Sequence, residues 1–254
     1  VSTSTSTAEP LIVLFERNPW LDAVGSDFPT VVVYEDGRTL FVRGDRVKAE
    51  VMIGRIESRA AVSLRDEIVA AGFMDAPADT TCTRTTDQVT VEILVRRGVS
   101  WKMASAYGIG KDGRCEARPP KAFVDAYRRL QKVQGAGAKR FEPEEIEVMI
   151  WGFEYARGEP IPWPADVPAP PANVVPEEYA PHSPKSYDHV LSARFRPQIE
   201  KLLRAMNSSN PPRAMLLNGH KWAVVPRALW PGYRLVEGVA RCAYKNRAVR
   251  RPRD

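Results

Sequence analysis

Pro29-Thr30-Val31-Val32-Val33-Tyr34-Glu35-Asp36-Gly37-Arg38-Thr39-Leu40-Phe41-Val42 is the stretch that decides the fold. β-Branched and aromatic residues fill both flanks. Between them Asp36-Gly37 supplies a residue pair that accepts the positive φ of a tight hairpin turn. The stretch predicts two antiparallel strands joined at that turn. Working outward, residues 11–16 form an earlier apolar run that reads as a first strand, and residues 47–56 extend the same sheet. Residues 58–71 read as a helix stopped by Gly72, with Phe73 behind it in the manner of a glycine C-cap.

A second hairpin is predicted from residues 89–95 and 99–107 around Arg97-Gly98. Pro119-Pro120 then opens a helix to Gly135, with Phe123, Tyr127 and Leu130 on one face. Residues 145–151 alternate with period two and read as another strand. Nine of the 26 residues from Glu159 to Pro184 are proline, which lacks the backbone donor, so this segment is expected to run extended over the surface. Residues 197–206 read as a short helix with Ile199, Leu202 and Leu203 on one face. A last hairpin turns at Asn218-Gly219, between residues 215–217 and 222–225. Hairpins separated by single helices indicate an α+β fold, with antiparallel β-hairpins and sheets and a few packed helices. The expected organisation is an N-terminal α+β lobe over 1–158, a proline-rich extended segment over 159–184, a C-terminal helix-hairpin lobe over 185–238 packed on the first, and a basic tail over 239–254.

Composition narrows the class. The 254 residues are 44% hydrophobic and 27% charged, with a mean hydropathy of -0.33, which excludes disorder throughout. No run approaches the ~20 apolar residues of a bilayer span, and residues 11–15 are too few for the core of a secretory signal. A soluble chain in the cytoplasm is expected, or an exported one where a leader precedes the numbered residues. The net charge of +6 is unevenly placed. Residues 239–254 carry Arg241, Lys245, Arg247, Arg250, Arg251 and Arg253 against Asp254, while the other 238 residues hold 31 basic and 30 acidic side chains. Such a terminus is expected to be mostly exposed, and Arg247, Arg250, Arg251 and Arg253 are the residues that would hold phosphates by counterion release.

Chemical motifs are few. Gly108-Ile109-Gly110-Lys111-Asp112-Gly113 matches G-x-G-x-x-G in form. The residues that follow do not open a helix there, and no Ser or Thr follows Lys111, so it reads as a glycine turn and not as a phosphate cradle. His182, His189 and His220 show no zinc spacing. Cys82, Cys115 and Cys242 contain no C-x-x-C pair, and an odd count suits reduced thiols. In an exported chain, Cys82 and Cys115 are the expected disulfide pair, because they flank the Arg97-Gly98 turn at nearly equal distances. Glu142, Glu144, Glu145 and Glu147 read as the exposed face of a strand start. No catalytic residue, metal ligand or cofactor is assigned. Trp163, held between Pro162 and Pro164, reads as a rigid aromatic anchor, either for a partner or for pinning its own segment onto the domain.

Residues 29–38, Ala70-Ala71-Gly72-Phe73, Phe141-Glu142-Pro143-Glu144-Glu145-Ile146, Gly219-His220-Lys221-Trp222 and Arg227-Ala228-Leu229-Trp230-Pro231 together carry a resemblance. Over most of the span from Pro29 to Gly232 the chain resembles a loose set of bacterial α+β proteins, often exported or lipoprotein-type. The resemblance implies an architecture and no activity. The chain departs from the set in showing no leader and no lipid-attachment cysteine, and in its basic tail. The functional expectation is a non-catalytic bacterial protein-binding module, and within that class an immunity-type protein that binds and neutralises a protein partner. The alternatives are an enzyme with a dispersed active site, or a nucleic-acid or other polyanion binder acting through the tail.

Overall fold

The computed structural model describes residues 9–19, 28–44, 50–109, 119–171 and 187–250. They form an α+β fold with two sheets. Those up to Glu142 and from Trp230 onward make one compact unit, and those from Pro143 to Leu229 make another.

The first unit is built on eight strands. These are β1 (Pro10–Arg17), β2 (Val31–Tyr34), β3 (Arg38–Arg43), β4 (Glu50–Arg55), β5 (Asp79–Thr81), β6 (Thr90–Arg97), β7 (Ser100–Tyr107) and β8 (Ala136–Arg140), in the order β5-β7-β6-β1-β2-β3-β4-β8. All neighbours are antiparallel except β5, which runs parallel to β7. The quoted hairpin forms as read. Gly37 takes φ 82°, and Asp36 accepts hydrogen bonds from the Arg38 backbone N–H and guanidinium. A Cβ on Gly37 would lie 2.2 Å from the Ile56 carbonyl oxygen, so only glycine fits there.

Period-two alternation sorts the strand side chains onto two faces. Ile12, Leu14, Val31, Val33, Phe41 and Ile93 join a core with residues from α1 (Ser58–Ala70) and α2 (Lys121–Leu130), among them Ile68, Phe123 and Tyr127. Val13, Phe15, Val32, Tyr34, Leu40 and Leu94 face the other way into a second core. With both faces covered, β2 and β1 up to Phe15 are apolar and do not alternate in polarity. Helix α2 stops at Leu130, short of the expected Gly135. The chain there must turn β8 onto β4, where Gly135 and Gly54 approach so closely that a Cβ on Gly135 would sit 2.4 Å from the Arg55 nitrogen.

The second unit has β9 (Glu145–Gly152), β10 (Ile161–Pro162), β11 (Tyr187–Ser192), β12 (Met215–Leu217) and β13 (His220–Ala228), in the order β10-β12-β13-β9-β11. Helix α3 (Arg196–Met206) lays Ile199, Leu202 and Met206 against Ile146, Val148, Ile150, Trp222 and Val224. Asn218 and Gly219 both take positive φ, 53° and 80°, the turn expected of an Asn-Gly hairpin. Part of the proline-rich segment enters the sheet after all, since β10 pairs parallel with β12. Pro162 is tolerated because β10 is an edge strand, where a missing donor breaks no ladder. The sheet places β9 between β13 and β11, so the boundary falls after Glu142 and not near Gly158. A strand whose partners lie later in the sequence cannot be assigned from its preceding neighbours.

The chain then returns to the first unit. Trp230 enters its second core, followed by α4 (Tyr233–Arg250). The end of the chain is helical and its start is anchored: Val236 and Ala240 are buried, and Val239 and Ala243 pack beside them, while Cys242 within the basic stretch is exposed. The spacing is helical, but it begins before the charged residues and is carried by valine and alanine, so charge dominates a reading of the sequence. Residues 230–238 accordingly belong with the first unit, whereas the sequence reading grouped them with the C-terminal lobe.

Candidate functional site

In the second unit, β9 ends at Gly152 and runs directly into Phe153-Glu154-Tyr155-Ala156. This turn is fixed by the start of β13. The Phe153 N–H donates to the Lys221 carbonyl at 2.8 Å, and the Ala156 N–H donates to the Phe153 carbonyl at 3.0 Å. The Lys221 N–H donates to Glu154 Oε1 at 3.0 Å, and the Lys221 ammonium donates to the Ala156 carbonyl at 3.0 Å. His220 Nδ1 lies 3.4 Å from the same Glu154 carboxylate. Ala156 is buried beneath, while the Phe153 and Tyr155 rings meet edge to face at 4.8 Å. Tyr155 remains 75% exposed. Across the hairpin Leu216 pairs with Lys221 and is exposed as well. The result is a hydrogen-bonded turn that exposes an aromatic pair next to Glu154 and His220, with Leu216 exposed on the other side of Lys221.

The neighbouring face of this sheet carries Glu147, which the sequence reading placed on an exposed strand face. Glu142, Glu144 and Glu145 are exposed, but Glu147 is only 6% exposed. Arg227 lies directly opposite it on β13, also buried, and its guanidinium donates to the Glu147 carboxylate. Met149 is buried on the same face, and Trp151, Ala223 and Val225 are half-buried there.

The first unit gathers carboxylates from distant segments at the C-terminal end of β1. Glu16 accepts from Tyr127 Oη at 2.5 Å and from Thr30 Oγ1 at 3.2 Å. Burial first, and then the Glu16 carboxylate, push the Tyr127 phenol well above its ordinary pKa. On the opposite face, Arg17 pairs with buried Glu92 at 2.7 Å, its guanidinium 4.4 Å from the Phe15 ring centroid. Ser105 Oγ donates to Asp79 Oδ1 at 2.6 Å. Each of these carboxylates holds a donor from its own scaffold. His189 and His220 both lie in the other unit. Among the described residues, no three His, Cys, Asp or Glu side chains stand together as a metal site.

The residues singled out from sequence are not brought together. Trp163 is half-buried against the second unit's core; its indole N–H donates to the Val167 carbonyl at 3.0 Å and its ring meets His189 edge to face. This arrangement packs one side of Trp163 onto its own segment. Arg247 and Arg250 lie in α4, whereas Arg251 and Arg253 fall outside the described residues, as do His182, Cys115 and Gly110 to Gly113. Cys82 is disulfide-bonded, contrary to the reading of reduced thiols, and Cys242 is free and exposed. Phe153 and Tyr155 were not picked out from the sequence. The available signal was an aromatic pair continuing past a strand end at Gly152. Compared with known protein families, curated proteins and solved structures, the chain matches none of them.

Proposed function

We propose that the chain is a non-catalytic protein-binding module of bacterial type, of the kind that acts by occupying a partner. The observation that carries this reading is the Phe153–Tyr155 turn: four hydrogen bonds hold the turn, yet it leaves Tyr155 75% exposed, with a second exposed apolar side chain, Leu216, on the far side of Lys221. Rigid tyrosines with adjoining aliphatic contacts are the residues that dominate binding energy at interfaces, because little conformational entropy is lost when they are covered. An immunity-type role, in which the bound partner is neutralised, fits the same surface. The Cys82 disulfide supports an oxidising compartment over the cytoplasm, since such bonds are rare where thiols are kept reduced.

The test is co-purification from the source cells with tagged wild-type chain and with a Tyr155→Ala, Leu216→Ser variant. A partner retained by the wild type and weakened by about 30-fold or more in the variant supports the reading, a loss typical of one interface anchor. A Val99→Ser variant, altered at an exposed position of the first unit, is the control and is expected to bind as the wild type does. A partner held equally by both variants refutes the assigned surface. Retention on heparin that is lost when residues 245–254 are deleted would instead favour the polyanion alternative.

A further inference from the structure

We infer that Pro160, Pro162 and Pro164 close the β10 edge of the second sheet against strand addition by a second copy of this chain. Strand β10 runs parallel to β12, with Ile161 opposite Met215 and Pro162 opposite Leu216. The Ile161 N–H donates to the Ala214 carbonyl at 2.8 Å, and the Trp163 N–H donates to the Leu216 carbonyl at 3.1 Å. Alternate residues of a paired strand turn their backbone groups to opposite sides. With 161 and 163 facing β12, the amide positions of 160, 162 and 164 face away from it. All three are proline. Among the described residues no strand pairs with that outer side. The last strand of the sheet therefore offers carbonyls there and no N–H, and a ladder is not continued from acceptors alone.

The segment is held to its unit by other groups. Ile161 and Trp163 pack against the core under α3, and Val167 is buried in it. Gln198 Nε2 donates to Asp166 Oδ2 at 3.1 Å, Arg213 Nε donates to the Glu159 carbonyl at 2.6 Å, and His189 Nε2 lies 2.9 Å from the Pro168 carbonyl. Pro162, by contrast, is exposed and brings neither burial nor a donor. What the prolines change is what the edge can accept. The strand covers the Ala214 and Leu216 carbonyls of the sheet beneath and presents a one-sided surface in their place. A second copy is the occupant that an ordinary edge would take here. Two identical edges pair antiparallel about a two-fold axis, and every molecule in solution carries one.

The experiment uses the full chain with Cys242→Ser, so that the exposed thiol forms no cross-links. Two variants are made in this background. One is Pro160→Thr, Pro162→Val, with Pro164 left in place because its carbonyl accepts from the Val167 N–H at 3.1 Å. The other is Pro168→Thr, Pro171→Val, the same exchange at exposed positions beyond β10. Sedimentation velocity is compared from about 1 to about 100 µM. We expect the first variant to associate at least about tenfold more tightly than the background, and the second to match the background. The amides introduced at 160 and 162 should exchange more slowly at the high concentration than at the low. If the first variant has a lowered melting temperature, Pro162→Val alone carries the test, with an expected gain of about threefold from one added donor. Equal association of the background and the edge variants overturns the proposal. So does association that leaves the introduced amides unprotected, or that the Pro168→Thr, Pro171→Val chain shows as well.

Discussion

Replacing Arg227 by methionine removes the positive member of a pair whose side chains are 6% and 8% exposed and sit directly opposite on β13 and β9. The Glu147 carboxylate then keeps its burial and loses its guanidinium, a change that costs about 3–5 kcal/mol when one partner of a buried pair is deleted. With a urea dependence of about 1–3 kcal/mol per molar for a small unit, the midpoint of the second unit should fall by roughly 2 M. Glu147→Leu should cost a similar amount, because it removes the carboxylate directly opposite buried Arg227. The double variant Glu147→Leu, Arg227→Met fills the same volume with apolar groups and should recover to within about 1–2 kcal/mol of the wild type. Fluorescence of Trp222 and Trp151, both in this sheet, reports the transition. If the double variant costs as much as the two single changes together, the residues do not act as a pair and the argument fails.

Three further outcomes are expected. Thr39 is fully buried and its hydroxyl has no hydrogen-bond partner among the described residues, so Thr39→Val should raise stability by about 1 kcal/mol in chemical denaturation; a loss would show the hydroxyl is satisfied. Gly37→Ala combines a φ of 82° with a 2.2 Å approach to the Ile56 carbonyl and should cost about 3 kcal/mol or more, and a cost below about 1 would contradict the turn geometry. Burial raises the phenol pKa of both Tyr34 and Tyr127 in the folded chain. Above about pH 10 the unfolded state therefore binds fewer protons than the folded one, and stability falls as pH rises. Melting curves between pH 9 and 11 should fall more steeply for the wild type than for the Tyr34→Phe, Tyr127→Phe variant, and parallel curves would exclude the effect.

Legibility in the sequence follows the range of the interaction that fixes each element. The β2–β3 and β12–β13 hairpins are legible because Asp36-Gly37 and Asn218-Gly219 are local turn chemistry, and α2 is legible because Phe123, Tyr127 and Leu130 share one face. Strand β8, Ala136-Gly137-Ala138-Lys139-Arg140, has no apolar pattern and exists because β4 offers an edge across the Gly54–Gly135 approach. The burial of Glu147 depends on an arginine 80 residues further on. At the candidate site, sequence shows that Phe153 and Tyr155 are aromatic, but their exposure follows from four hydrogen bonds to and around Lys221. That Trp163 sits against the Val167 carbonyl and the His189 ring is likewise not legible in the Pro162-Trp163-Pro164 stretch itself.

The return of the chain from Leu229 to Trp230 also sets an order of events on the ribosome. The second unit is complete in sequence before the first, because one face of the first sheet waits for Trp230, Val236 and Ala240. At about 5–20 residues per second, Val32, Tyr34 and Leu40 emerge roughly 10–40 seconds before the helix that covers them. During that interval a nascent chain carries an open apolar sheet face, and a holding chaperone or delayed collapse must protect it. Truncations that remove α4 recreate this intermediate permanently, so they should appear as aggregates and not as smaller folded proteins.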